Sequence, residues 1–354
     1  MADLHKLSAV WIRCAAALGI GFMHAAVWFL NKIGYKNTLT LGARAGELLY
    51  WLPVRMKARI RHNLRFALGA HLSREDQERM TREIIRSIAV NWFELFYYGG
   101  PNKHIVEDRV HWEGIEHLDR ALARGKGVIA VSAHLGNYPI LAQQFSRWGY
   151  PFVMVIRDPA NKVISAMYAK GREMIELRSL STEPERVFYR QALATLRNNG
   201  VLCLIADENK RRGGIFVEFF GHPASTAPGP AALALRTGAP IIPIFIVRNP
   251  DTTLRVVIER ELQWQHRGDQ EGDMLEITAA YTRIIEHYVR KHLTQWMWTN
   301  FRWRTQPWGP NDAAKIKKKR PIKKLIRRLR GISYQAVGKK QETFKNESSL
   351  PSLR

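Results

Sequence analysis

His134 is the residue of this chain whose position most directly suggests chemistry. It follows the apolar run "VIAVSA" (residues 128–133), which predicts a buried strand, and it precedes a predicted helix over residues 137–148. In an open α/β sheet, ligands bind beyond the carboxyl ends of the strands. A histidine there can accept a proton from a hydroxyl or an amine that attacks a carbonyl group, and so act as a general base. A hydrogen-bonded histidine of the core would occupy the same position.

Charged residues follow two other predicted strands. Arg157 and Asp158 come directly after "FVMVI", and Asp207 and Glu208 come directly after "GVLCLIA". Because parallel strands end at the same edge of a sheet, these residues are expected near that edge. Arg157 is placed to meet an anion. Asp207 is also compatible with a helix N-cap or a salt bridge in a loop.

A positive loop is predicted next to Asp207. Three cations precede Gly213 and Gly214 and are expected to form a flexible, strongly basic segment, which consists of Lys210, Arg211 and Arg212. Such a loop suits the phosphates of lipid head groups or an acidic carrier protein. A solvated run of charges is the simpler interpretation. No spacing of Cys and His residues suggests a metal site.

The elements around these residues predict an α/β fold with a mostly parallel central sheet and flanking helices. Apolar strands alternate with helices of 10 to 15 residues from about residue 127 onwards, as in a parallel sheet. Residues 38–98 are predicted to be helical, and residues 104–113 to be extended. We expect an N-terminal membrane-anchor helix (1–33), a catalytic domain (34–310) and a basic amphipathic or disordered tail (311–354).

Both ends of the chain favour a membrane. Residues 14–30 are an apolar run of 17 residues, about 26 Å as a helix, at the short limit for spanning a bilayer. A cleaved signal peptide and a buried core helix are the alternatives. The net charge is +24, and residues 315–331 contain ten Lys or Arg and no acid, in an amphipathic pattern. Such a segment suits an anionic phospholipid surface. No nucleic-acid-binding signature accompanies the charge, so we expect no nucleic-acid partner.

Aromatic residues are concentrated near the end of the predicted catalytic domain. The segment "WMWTNFRWRTQPW" (residues 296–308) carries four tryptophans together with Arg302 and Arg304. Tryptophan and arginine side chains together suit the boundary between water and lipid. Packing in the core, with cation–π contacts, explains the same composition.

Several segments together resemble a known family. "AHLGNYP" resembles the H-x4-D/E box of the lysophospholipid acyltransferase superfamily, and the chain most resembles the lipid A late (lauroyl/myristoyl) acyltransferase family. The resemblance covers about residues 5–309. Further similar segments, in chain order, are "LPVRMKARIRHNLRFAL", "NWFELF", "VIRDPANKVI" with "AKGREMIELR", "LIADENKRRGGIFVEFFGHPASTAPGPAALALRTGAPIIP" and "QWMWTNFRWRTQPWG".

The resemblance implies transfer of a fatty acyl chain to a hydroxyl of a lipid A precursor or related glycolipid at the cytoplasmic face of the inner membrane. The acyl donor would be a thioester of acyl carrier protein or coenzyme A, and no further cofactor is implied. His134 would be the general base. Asp207 is similar to an acidic position of the family, and Arg172 to an arginine that serves the phosphate or the thioester.

Pro139 is the main departure from the family pattern. The family has an acid at this position, five residues after the histidine, and proline has no charge and no side-chain acceptor. Another group could orient His134: Asp158, Asp207 or Glu208 by charge, or Asn137 by a hydrogen bond. Alternatively, the acceptor is nucleophilic enough to need only the histidine, or the protein is a weakly active relative that binds lipid.

Two other functions therefore remain open at the level of the sequence. The chain could be a non-catalytic lipid-binding protein on the same fold, which Pro139 favours. It could also be an acyltransferase for another acceptor, such as a glycolipid like phosphatidylinositol mannoside, an aminolipid or a lysophospholipid. Loss of activity on His134→Ala would separate the catalytic from the non-catalytic function.

Overall fold

A seven-stranded sheet forms the centre of the protein, in a computed structural model that describes residues 2–69, 72–265 and 268–307. The strands of the described chain are β1 (Val110–Glu113), β2 (Val128–Ser132), β3 (Phe152–Ile156), β4 (Ser179–Ser181), β5 (Val201–Ile205), β6 (Ile215–Phe219), β7 (His222–Thr226), β8 (Ile241–Arg248) and β9 (Leu254–Ile258). The central sheet has the order β1-β9-β8-β2-β5-β3-β4. Only the pair β8 and β9 is antiparallel within it.

Helices cover both faces of this sheet. They are α1 (Ala2–Ile33), α2 (Tyr35–Trp51), α3 (Arg55–Leu68), α4 (Arg74–Tyr98), α5 (Lys103–Glu107), α6 (Ile115–Leu122), α7 (Tyr138–Arg147), α8 (Lys162–Met174), α9 (Glu185–Arg197), α10 (Gly229–Thr237) and α11 (Gln270–Lys291). The side chains of β2 are all buried and alternate between two apolar clusters, one on each face. Burial on both faces is typical of parallel sheets, and the predicted α/β fold is confirmed.

The helices that precede the sheet form a packed group. Ser73 caps α4 by accepting a hydrogen bond from the backbone N–H of Asp76 at 3.0 Å. α2 lies closely along α4, because Gly46 faces α4 without a side chain. A Cβ atom at Gly46 would lie 2.6 Å from the Cα atom of Arg86. This close approach fixes α4, which carries residues that contact the histidine loop.

α1 is long and apolar enough to cross a bilayer over the 23 residues Trp11–Ile33. It packs against α2, α4 and α8 within the protein. Large apolar side chains nevertheless remain exposed along it, among them Trp11, Phe22 and Trp28. An apolar helix with exposed tryptophans indicates membrane association. The predicted basic tail lies outside the described residues.

Three details of the fold differ from the sequence prediction. The extended segment expected over residues 104–113 is wrong in its first half, where Lys103–Glu107 form α5. This turn of helix buries Val106 and lets the Glu107 carboxylate accept a hydrogen bond from Tyr98 at 2.8 Å. The short edge strand β4 was not predicted. The hairpin of β6 and β7 was also not predicted, because Phe220 occupies a turn position with positive φ, where glycine or asparagine is usual.

Candidate active site

His134 lies at the carboxyl end of the central strand β2, as its position in the sequence predicts. β2 is hydrogen-bonded to β8 on one side and to β5 on the other. The imidazole is largely enclosed, with 14% of the side chain exposed. The ring of Tyr138, at the start of α7, lies edge to face against it with centroids 4.9 Å apart. The site is therefore sheltered from water but open at one side.

Asp207 is the acid that the fold brings to His134. β2 and β5 run in register, with Ser132 beside Ile205, so the second residues after the two strands meet at the sheet edge. The Asp207 Oδ1 atom lies 2.8 Å from His134 Nδ1, and Oδ2 accepts a hydrogen bond from the His134 backbone N–H at 2.9 Å. The Asp207 side chain is completely buried. A carboxylate that follows the neighbouring strand thus supplies the acceptor for His134 Nδ1 that the side chain of Pro139 lacks.

The charges of this pair stabilise each other. Burial by itself would raise the pKa of Asp207, but the attraction and hydrogen bond of His134 and a hydrogen bond from Trp296 outweigh it, so its pKa lies below the usual value. Burial likewise disfavours the imidazolium, but Asp207 holds the pKa of His134 above its usual value. An ionised Asp207 can only accept, so Nδ1 of the neutral ring carries the proton. Nε2 then has a free lone pair, which is what a general base requires.

Glu208 lies on the open side of the imidazole. Its Oε1 atom is 3.7 Å from His134 Nε2, and 58% of its side chain is exposed. The distance is too long for a hydrogen bond, but close enough for charge attraction to an imidazolium. Glu208 is therefore placed beside the nitrogen that would receive a proton.

Pro139 has a structural place in the loop. It is the second residue of α7 and is partly buried. The first turn of a helix tolerates proline because its N–H groups have no partner within the helix. Of the acids considered from the sequence, Asp158 instead pairs with Arg172, at 2.9 Å. Among the explanations for Pro139, the geometry favours orientation of His134 by Asp207.

Asn137 faces away from His134 and holds the loop from the other side. Its Nδ2 group donates to Glu94 Oε2 at 2.7 Å and to the carbonyl of Asn91 at 3.1 Å. Asn91 in turn donates to the carbonyl of Gly136 at 3.0 Å. Glu94 is fully buried and pairs with Arg248 of β8 at 2.5 Å. The side chain of the catalytic candidate Asn137 therefore belongs to a buried hydrogen-bond network with residues of α4.

The cations predicted to bind substrate differ in exposure. Arg172 is mostly buried and pairs with Asp158. Arg157 is 76% exposed, and its Nη2 atom lies 3.4 Å from Glu183. The three cations of the positive loop before β6 are exposed, namely Lys210, Arg211 and Arg212. The described residues contain no group of three or more His, Cys, Asp or Glu side chains placed to hold a metal ion.

The aromatic segment near the end of the described chain belongs to the core. Trp296 and Trp298 are completely buried, and Trp303 nearly so. Arg302 is also fully buried and donates to Thr226 Oγ1 at 2.6 Å. Burial lowers the pKa of Arg302 to about 10. Of the two interpretations of this segment, core packing is therefore correct for these residues.

Four residues at the site were not predicted as functional from the sequence, namely Asn91, Glu94, Arg248 and Trp296. Trp296 donates its indole N–H to Asp207 Oδ2 at 2.6 Å. Asn91 and Glu94 lie in "NWFELF", which stood out only through the family resemblance, and Trp296 lies in the aromatic segment, which stood out through its composition as well. Their contacts depend on chain pairings that no local pattern reveals.

The chain is similar to known acyltransferases. The family model described as bacterial lipid A biosynthesis acyltransferase matches residues 11–305. The chain is 29% identical over 231 residues to a phosphatidylinositol mannoside acyltransferase of Mycobacterium tuberculosis, covering 64% of this chain and 70% of the relative. It is 24% identical to a lipid A biosynthesis palmitoleoyltransferase of Escherichia coli, covering 81% and 91%. For the lauroyltransferase of the same species the identity is 24%, covering 82% and 92%.

These findings confirm the prediction of an O-acyltransferase. The resemblance seen in scattered segments extends through the whole α/β core, including the histidine loop and the aromatic segment. The chain belongs to the bacterial lipid A biosynthesis acyltransferase family.

Proposed function

We propose that this protein transfers a fatty acyl chain from a thioester to a hydroxyl of a lipid A precursor or related glycolipid, with His134 as the general base. The observation that carries the proposal is the hydrogen bond of 2.8 Å between His134 Nδ1 and Asp207 Oδ1 at the carboxyl edge of the sheet. It leaves Nε2 as the basic atom on the open side of the ring. Acyl transfer to an alcohol needs such a base, because an alcohol is a weak nucleophile until its proton is removed.

The reaction follows from this arrangement. Nε2 takes the proton of the acceptor hydroxyl as its oxygen attacks the thioester carbonyl carbon. The tetrahedral intermediate then collapses, the carbon–sulfur bond breaks, and the thiolate receives the proton from Nε2. One ester and one thiol are formed, and the enzyme returns to its starting state. Asp207 stays ionised throughout and stabilises the imidazolium, as the aspartate of the serine protease triad does.

The donor would be acyl carrier protein or coenzyme A carrying the acyl chain, with no other cofactor. Both carriers are acidic, and the positive loop of Lys210, Arg211 and Arg212 offers a complementary surface. Arg172 would serve the phosphate or thioester group once a substrate competes with Asp158 for its guanidinium. Arg157, with most of its side chain in solvent, is available to a second anionic group.

The acceptor would be a glycolipid at the membrane surface. The relatives are named for the acylation of phosphatidylinositol mannoside and for lipid A biosynthesis, and both of these lipids are glycolipids. The exposed apolar side chains of α1 support attachment to a bilayer. Attachment to the inner membrane with the catalytic domain on the cytoplasmic side would bring the site to both the lipid and the soluble donor.

The test is lipid mass spectrometry on a strain from which the gene has been deleted. The strain is complemented with the wild-type gene, with His134→Ala or with Asp207→Asn, and all three proteins are quantified in membranes. We expect only the wild type to restore an acyl chain on a lipid, whose mass gives both donor chain and acceptor. Equal restoration by His134→Ala contradicts catalysis by His134. A lipid profile that none of the three changes favours a non-catalytic lipid-binding protein.

A further inference from the structure

The segment that follows the last helix is paired directly with the histidine loop. The backbone N–H of Gly136 donates to the carbonyl of Gln295 at 3.1 Å, and that of Met297 donates to the carbonyl of His134 at 2.9 Å. Leu135 and Trp296 thereby form an antiparallel bridge. The loop that carries the proposed base is therefore held along its backbone by residues 295–297.

Trp296 also reaches the acid of the pair. Its indole N–H donates to Asp207 Oδ2 at 2.6 Å, on the oxygen that accepts the His134 backbone N–H. The other oxygen, Oδ1, is left to His134 Nδ1. Three donors thus fix the plane of a fully buried carboxylate. Without the indole, the carboxylate would lose one of the two hydrogen bonds that orient Oδ2.

The indole itself has little freedom to move. Trp296 is completely buried, and its ring packs against Trp298 and Phe219 with centroids 4.8 and 5.7 Å apart. Its N–H is therefore preorganised toward Asp207. A preorganised donor needs no rearrangement as charge develops on the neighbouring imidazole.

Arg302 of the same segment holds the chain on the other side of Asp207. Its guanidinium is buried and donates to the carbonyl oxygens of Glu208 and Ser225, at 3.3 and 3.0 Å. The residue after Asp207 is therefore tied to the hairpin strand β7. The closing segment thus contacts both the loop of the base and the turn of the acid.

We propose that Trp296 is a positioning residue for the acyl transfer, which orients the Asp207 carboxylate toward His134 through its indole N–H. This inference rests on the proposed function. The indole acts through Asp207 and does not itself touch the reacting atoms. A buried tryptophan that serves only to fill the core can donate its N–H to any nearby backbone carbonyl, whereas the indole of Trp296 donates to the carboxylate that pairs with the proposed base.

Trp298 and Trp303 provide the internal comparison. Both are buried in the same cluster, but the Trp298 indole donates to the carbonyl of Leu293 at 2.6 Å, and that of Trp303 to the carbonyl of Phe219 at 3.2 Å. Neither bond involves a charged group of the pair. Trp296→Phe and Trp298→Phe therefore remove the same atoms from the same cluster, and only the first removes a hydrogen bond to Asp207.

The experiment compares the purified full-length wild type, Trp296→Phe and Trp298→Phe in detergent micelles. The donors are hexadecanoyl thioesters of coenzyme A and of acyl carrier protein, the acceptor is total lipid from the deletion strain, and thiol release is measured. We expect Trp296→Phe to lower kcat about 10- to 100-fold with little change in KM, as loss of a hydrogen bond to a charged group does. Trp298→Phe should retain kcat, and both variants should show a similar fall in Tm.

The pH profile separates positioning from packing. kcat/KM should rise with pH as His134 loses its proton. Without the indole donor, more of the negative charge of Asp207 acts on the imidazolium and raises the pKa of His134. The part of the profile where kcat/KM rises with pH should therefore move to higher pH in Trp296→Phe. The other titratable groups facing the pair are Glu208, Tyr138 and Arg302, and all three are unchanged in the variant.

Two outcomes would overturn the inference, and they are distinct from failure of the proposed function. One is a Trp296→Phe enzyme with wild-type kcat. The other is a fall in kcat that is the same at every pH and is equally large in Trp298→Phe. Such a fall would mean only that less of the protein is folded. If the wild type itself releases no thiol above background, or if His134→Ala is as active as the wild type, the proposed function fails.

Discussion

The loop between β2 and α7 is held by buried charged groups at both of its ends. The two ends differ in whether an atom remains available to react. At the first end, His134 uses Nδ1 for Asp207 and keeps Nε2 facing the open side of the ring. At the second end, Glu94 has both oxygens occupied. Oε1 accepts from Tyr35 and Arg248, and Oε2 accepts from Arg248 and Asn137. The first end can react, whereas the second can only hold the loop in place.

The difference also appears in the partners of the two carboxylates, because only one of these partners can release its proton near neutral pH. Burial would raise the pKa of Glu94, but the attraction of Arg248 and four hydrogen bonds outweigh it, so its pKa lies below the usual value. Arg248 cannot release its proton at any ordinary pH. His134 can, because an imidazole ordinarily titrates near neutrality, and Asp207 raises its pKa from that range. A buried carboxylate thus stabilises the fold when paired with arginine and tunes a base when paired with histidine.

The largest expected effect is on catalysis at the first end. Asp207→Asn should lower kcat about 10³- to 10⁴-fold, because the corresponding change in the serine protease triad costs about 10⁴-fold. An amide can present its NH₂ group to Nδ1 and so favour the wrong tautomer. Thiol release by the purified variant, measured together with its Tm, checks this.

Asp158→Asn is the matched control. Asp158 follows β3 by two residues, as Asp207 follows β5, but it pairs with Arg172. We expect a much smaller loss of kcat in this variant. If both aspartates contribute equally, then the contact between Asp207 and His134 has no special role.

At the second end, the main effect should be on stability. Glu94→Gln leaves Arg248 buried without its counter-charge, and breaking such a pair costs about 3–5 kcal/mol of folding free energy. The amide oxygen can still accept from Asn137, so the folded variant should keep most of its kcat. Urea unfolding in detergent gives the free energy of unfolding, and thiol release per folded molecule gives kcat.

A double variant sharpens this prediction. Glu94→Gln combined with Arg248→Met removes both charges, so its loss of stability should be smaller than the sum of the two single losses. Additive losses would mean that the two side chains act independently. A loss of kcat as large as that of Asp207→Asn would mean that the second end, too, takes part in catalysis.

The free energy of unfolding should depend on pH differently for variants at the two ends, with a smaller effect than those above. Because the pKa of His134 is raised above its unfolded value of 6.5, its pairing stabilises the protein below that pH and is lost as the pH rises through the folded pKa. The stability difference between wild type and Asp207→Asn should therefore shrink as the pH rises from about 6.5 through the raised folded pKa of His134. The pKa of Glu94 is lowered from 4.5, so its contribution is lost only on acidification. The difference between wild type and Glu94→Gln should stay constant over the same range.

The sequence predicted that His134 lies at the carboxyl edge of the sheet, but it could not choose the acid that contacts this histidine. Asp158 and Asp207 each follow a strand by two residues, and both were candidates. The choice depends on strand order, because β5 is inserted between β2 and β3 although β3 follows β2 along the chain. Asp207 therefore meets His134, while Asp158 lies one strand further away. Local periodicity predicts where strands are, but their order is decided by the packing of the whole sheet.

The residues that support the site were even harder to predict from the sequence. Trp296 is 89 residues from Asp207 along the chain, and Arg248 is 154 residues from Glu94. A tryptophan in an aromatic segment of this composition is equally compatible with packing in the core and with a lipid interface. Only the tertiary structure shows that one indole of three is directed at a carboxylate. Composition indicates that a side chain is buried, but not which polar group it meets there.

The smallest expected effect concerns Pro139, the position that made the sequence ambiguous. Pro139→Glu restores an acid where the family has one, and an acid is tolerated in the first turn of α7. We expect no gain in kcat/KM, because Nδ1 of His134 is already bound to Asp207.

The double variant Pro139→Glu with Asp207→Asn tests this more strictly, and we expect it to be as inactive as Asp207→Asn alone. The Trp296 indole N–H and the His134 backbone N–H both donate to the Asp207 carboxylate. Neither donor would be directed at a carboxylate on α7. Recovery of activity in the double variant would mean that a charge near the imidazole is sufficient. If activity does not recover, the acid must follow β5, where Trp296 can orient it.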